Sequence, residues 1–87
     1  ARRKKVMYME KAMQIYLKSK AVDPKNKRIL LDIKNKRDRI RFFTYAYYHT
    51  DLDMKNGAYP GLSFMEVLDV YIVDEKRTFH SRSWLDS

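Results

Sequence analysis

Cysteine is absent from this 87-residue chain. Neither a disulfide framework nor a thiolate metal site can form, which excludes zinc fingers and zinc ribbons and suits a reducing, intracellular setting, cytoplasmic or nuclear. Glycine and proline occur twice each, too rarely for a loop-rich or disordered polypeptide. No apolar run approaches the roughly 18 residues of a membrane span, and no apolar signal-peptide core opens the sequence. An initiator Met is missing too, as expected of a processed chain or of a domain cut from a longer protein. No Ser, His and Asp fall in a triad-like pattern, and no Gly-rich phosphate loop is present. Neither a cofactor nor catalysis is therefore expected.

Acids are scarce in one half only. Residues 2–41 hold fifteen Lys and Arg against four acids, a net +11, whereas residues 42–87 hold four against seven, a net −3. A basic half joined to a mildly acidic half is the usual footprint of a polyanion-binding surface. The 45% apolar content, with seven Tyr, four Phe and one Trp, can fill one small core. A chain of this length buries about 60–65% of its unfolded surface, so one domain spanning 1–87 of modest stability is expected.

After a basic arm at 1–5, residues 6–20 predict a helix. Val6, Met9, Met13, Tyr16 and Leu17 recur at helical spacing, and Pro24 enforces a break after Lys20. Residues 28–34 and 39–50 are rich in β-branched and aromatic side chains. With 35–38 as a polar turn they predict a β-hairpin over 28–50. Alternation then places Ile40, Phe42, Thr44, Ala46 and Tyr48 on a core face, with Arg39, Arg41, Phe43, Tyr45, Tyr47 and His49 opposite. Both glycines and the second proline mark 51–62 as the main loop. Residues 63–73 carry both signals: Ser63 and Glu66 fit a helix capping box, while the β-branched density of 67–73 favours a strand that turns at 74–77 into Thr78-Phe79-His80. The expected architecture is α+β, an N-terminal helix packed on a three- to four-stranded antiparallel sheet, with 63–84 supplying a strand or helix plus a terminal strand.

Three cation clusters (2–5; Lys25, Lys27 and Arg28; Lys34, Lys36, Arg37, Arg39 and Arg41) merge into one patch if the helix lies beside the hairpin. Bases stack on aromatic faces while neighbouring cations hold phosphates, so Tyr45 and Tyr47 are candidate stacking residues beside these arginines. The run Arg41-Phe42-Phe43-Thr44-Tyr45-Ala46-Tyr47-Tyr48 loosely resembles the octapeptide of RNA-recognition motifs, with a cation first and aromatics third, fifth and eighth. The resemblance covers eight residues and implies a stacking strand. Phe42 and Thr44 fill its glycine positions, and no companion hexapeptide precedes the helix, so a complete motif of that family is not expected.

Other patterns compete. The Met-aromatic stripe amid lysines in 3–20 also suits a calmodulin-target or membrane-surface helix, although a small domain needs that face for its core. Asp69 with Asp74-Glu75-Lys76 fits the acid and acid-x-lysine wording of Mg²⁺-dependent nucleases, and equally an ordinary turn. Asp51, Asp53, Asn56 and Gly57 are similar to a calcium loop, but Gly stands one position late and Leu62 replaces the twelfth-position Glu. His49 with Asp51 and Asp53 read as turn formers, His80 near Ser81 and Ser83 is too common a juxtaposition to weigh, and Trp84 reads as a core anchor. The expected function is non-catalytic binding of DNA or RNA. The alternatives are an assembly module whose basic half meets an acidic protein or a second copy, and a metal-dependent nuclease.

Overall fold

In the computed structural model, which describes residues 2–81, helices α1 (Arg2–Lys18), α2 (Pro24–Leu31), α3 (Lys36–Lys55) and α4 (Phe64–Ser81) follow one another, and no strand occurs among the described residues. The α+β expectation is overturned. The hairpin read over 28–50 is α2 and α3, and the strands read over 67–73 and 78–80 are one helix, α4. The basic arm at 1–5 is taken up from Arg2 onward as the start of α1. Trp84 and Ser83 lie outside the described residues.

Local chemistry explains each helix. Asp23 is the N-cap of α2, its carboxylate accepting from Lys25 N at 2.9 Å, and Pro24 occupies the first helical turn. α1 has already ended at Lys18, and Pro24 serves instead to start α2, because its fixed φ and missing N–H suit that position. Asn35, read as a turn residue, is the N-cap of α3: its Oδ1 accepts from Arg37 N at 2.9 Å and Asp38 N at 3.3 Å. Within 39–50, Thr44 and Thr50 satisfy their hydroxyls on the carbonyls of Ile40 (2.6 Å) and Ala46 (2.8 Å), one turn back. The buried set Ile40, Phe43, Ala46 and Thr50 has a spacing of three or four throughout, which is helical. Gly57, at φ +79°, follows the C-cap Asn56. Ala58 N reaches Asp53 O at 2.9 Å and Gly57 N reaches Met54 O at 3.2 Å, the double closure that favours glycine there. The capping box read at Ser63 and Glu66 is present, at 3.1 and 3.2 Å.

Packing centres on α3 and α4, which form the main pair; α1 lies on α3, and α2 bridges α4 and α3. Met9, Met13 and Tyr16 of α1 meet Phe42, Phe43 and Ala46 of α3, Leu68 and Ile72 of α4, and Ile29, Leu30 and Ile33 in one core. Three of the five residues assigned to the core face of the first helix are buried, Leu17 is half-buried, and Val6 is exposed. A polar knot ties the ends together: the Tyr16 hydroxyl donates to Asp69, and Asn26 Nδ2 donates to Asp69 O at 2.8 Å. Residues 16, 26 and 69 thus join α1, α2 and α4.

Candidate nucleic-acid interface

Coiling 36–55 into a helix regroups the cations and aromatics of this segment. Arg37, Arg41 and Tyr45 stand at i, i+4 and i+8, and Tyr48 one turn further along; all four are exposed. Of the two proposed stacking residues, Tyr45 keeps 38% of its surface in water. Tyr47 is instead packed between Phe43 (6.0 Å between ring centroids) and Phe64 (5.0 Å), with its hydroxyl 3.3 Å from that of Tyr8. Phe43, read on the solvent side of a strand, is fully buried, while Tyr48, read as core, is exposed. The run 41–48 is helical, so its likeness to a stacking strand does not extend to its conformation.

The cations separate similarly. Arg39 turns inward, with Nε and Nη2 donating to Ile33 O at 3.0 and 2.8 Å; it closes the link between α2 and α3. Lys36 is ion-paired with Glu10 at 2.7 Å. Lys25, Lys27, Arg28, Lys34 and Arg37 are exposed and make no ion pair with a described residue.

The N-terminal halves of α1 and α3 enclose a groove made of two adjoining cavities. One, about 700 Å³, is lined by Val6, Met7, Glu10, Lys36, Arg37, Ile40 and Arg41. The other, about 350 Å³, is lined by Val6, Met9, Ile40, Arg41, Thr44, Tyr45 and Tyr48. Val6, Ile40 and Arg41 belong to both. The floor is apolar, the rim cationic, and the far end aromatic. Sequence alternation missed Val6, Met7 and Tyr48; counting 37, 41, 45 and 48 as a helical stripe would have found the last. No residue of α2 lines either cavity, so Lys25, Lys27 and Arg28 are not brought to the groove.

Several acids elsewhere are engaged. Glu75, 7% exposed, meets His49 Nδ1 at 2.7 Å; Asp53 accepts from the Tyr71 hydroxyl; Asp51 pairs with Lys55 at 2.9 Å. Residues 69, 74, 75 and 76 sit inside α4 rather than on a strand and a turn, and no group of three or more His, Cys, Asp or Glu able to hold a metal occurs among the described residues. The strand geometry that the nuclease reading requires is therefore missing there. The calcium-like run 51–57 is the last turn of α3 and its cap. No helix of the described residues is long and apolar enough to cross a membrane.

Two phenols away from the groove, on the Phe43 side of α3, are held neutral. Tyr47 has its pKa pushed up to about 12, first by its hydrogen bond with Tyr8 and then by burial; Tyr16 is raised further by burial and by its hydrogen bond to Asp69. An unfolded tyrosine ionises near pH 10. Folding therefore keeps the full contribution of both groups below about pH 10 and loses it as the pH rises through the folded-state values. The melting temperature should hold up to about pH 10 and fall between there and pH 12. Tyr47→Phe should shallow that fall, with tyrosinate absorbance followed alongside; an unchanged fall would sever the link to Tyr47.

Comparison with protein-family models, curated proteins and solved structures finds no match to this chain.

Proposed function

We propose that this chain is a non-catalytic nucleic-acid-binding module that engages phosphates along the cationic rim of the α1–α3 groove. The observation that carries the reading is the unequal commitment of its charges. Seven of the eleven acids are engaged internally: Glu10, Asp51 and Glu75 in ion pairs, Asp23 and Glu66 in caps, and Asp53 and Asp69 with tyrosines. Among the described side chains, Lys25, Lys27, Arg28, Lys34 and Arg37 point to solvent without an ion pair to a described residue. A molecule carrying +8 with most of its acids engaged internally has its field left over for an external polyanion.

Cation placement within the helices supports the same reading. α1, whose N-terminal half lines the groove, starts on Arg2-Arg3-Lys4-Lys5 with no acid in its first turn. Cations at the positive end of a helix oppose its dipole by about 0.3–1 kcal/mol each at low ionic strength. That cost is relieved when phosphates sit among them. A head-to-tail second copy is a poorer partner, because the acids it would offer are engaged within its own α3 and α4.

The test is retention on heparin and affinity for nucleic acid across a salt series, with the light-scattering mass measured in parallel. The logarithm of affinity should fall linearly with that of salt, by about 0.7–0.9 per phosphate engaged. Added polyanion should also raise the melting temperature. A salt-independent affinity, or a mass that doubles without nucleic acid, would favour the assembly reading.

A further inference from the structure

We infer that the α1–α3 groove selects single-stranded nucleic acid over duplex by taking unstacked bases onto its apolar floor and its tyrosine end. This rests on the nucleic-acid reading above and deepens it. Arg37, Arg41 and Tyr45 form one stripe on α3. The eight residue steps from 37 to 45 span about 12 Å of helix, so the cations and the ring lie within reach of one short stretch of strand. Beside the stripe, Val6 and Met7 are exposed, Met7 to 66%, and with Ile40 they make a floor that needs an apolar or aromatic occupant. The single acid of the groove, Glu10, is neutralised by Lys36, so nothing there repels a phosphate.

A duplex presents phosphates outward and keeps its bases stacked. It can reach the arginines but leaves Met7, Val6 and the tyrosine rings in water. A single strand can place phosphates on Arg37 and Arg41 while its bases turn onto Tyr45 and Tyr48, whose faces accept any base. The cation rim and aromatic end therefore match an anionic backbone bearing free planar rings.

The experiment titrates the whole chain, at one salt concentration, with a short oligothymidylate, a blunt duplex of the same length, heparin, and an acidic amphipathic peptide. The oligothymidylate should bind about tenfold or more tighter than the duplex, Tyr45→Ala should remove most of that difference, and Tyr45→Phe should restore it. Tyr45 is exposed, and a melt of each variant verifies folding. Equal affinity for strand and duplex, or a Tyr45→Ala loss shared equally by heparin, overturns the single-strand inference and leaves the phosphate patch standing. Binding to none of the polyanions overturns the nucleic-acid reading itself. Tighter binding of the acidic peptide than of the oligothymidylate assigns the groove to a protein helix and overturns both.

Discussion

Phe43→Ala is expected to remove about 3–5 kcal/mol of folding free energy, the range for truncating a large buried aromatic. Phe43 is fully buried, 5.7 Å from the Tyr16 ring and 6.0 Å from Tyr47, so its loss opens a cavity between α1, α3 and the start of α4. A chain of 87 residues commands about 4–13 kcal/mol in total, so this variant should be substantially unfolded near physiological temperature. Tyr45→Ala, two residues along, is expected to cost about 1 kcal/mol or less, as for other exposed positions. In a strand the two side chains would share a face and respond alike. In a helix they point about 200° apart. Urea melts of the two variants decide the matter: equal losses would contradict the burial pattern of α3 and remove the exposed ring on which the groove depends.

The contrast between those neighbours shows where sequence was legible and where it was not. The helical stripe of Met9, Met13 and Tyr16 was readable because β-formers are few there and its period is unambiguous. Segment 39–50 satisfies two periods at once: its apolar residues alternate closely enough for a strand, yet Ile40, Phe43, Ala46 and Thr50 also keep helical spacing. What settles the conflict is chemistry at the boundaries. Asn35 followed by Asp38 is a helix start, and Asp23-Pro24 is another; both were read only as chain breaks. Propensity was overridden because a twenty-residue stretch without Gly or Pro, properly capped, buries Ile40, Phe42, Phe43, Ala46 and Thr50.

The candidate site was legible as a composition and illegible as a surface. Arg37, Arg41 and Tyr45 keep the exposed roles assigned to them, but on a helix. Arg39 and Tyr47 were drawn into half-buried contacts for reasons that only the tertiary structure contains: the Ile33 carbonyl that Arg39 satisfies at the α2–α3 link, and the aromatic pocket formed by Phe43, Phe64 and Tyr8. Val6 and Met7 could not be assigned to a groove until α1 was laid against α3, because their helical register alone places Val6 with the core.

Reversing the groove charge should produce the largest change in binding. Arg37→Glu with Arg41→Glu removes two cations one turn apart on the rim and installs two anions, at positions exposed enough to accept Glu. Two lost phosphate contacts should reduce the salt slope by about 1.4–1.8. With added repulsion, affinity at low salt should fall by about a hundredfold, all sequences suffering alike. Lys27→Glu with Arg28→Glu makes the same change of charge on α2, away from the groove, where only the long-range field is altered. Screening beyond a Debye length of about 8–10 Å should hold that loss to a few-fold. Lys36 is a poorer choice of variant, because it is tied to Glu10 at 2.7 Å and its reversal would confound stability with binding. Affinities measured by anisotropy across a salt series, on variants whose melts match the parent, separate the two surfaces. If the α2 pair proves as damaging as the groove pair, phosphates follow the exposed cations of α2, and the groove between α1 and α3 is not where the strand lies.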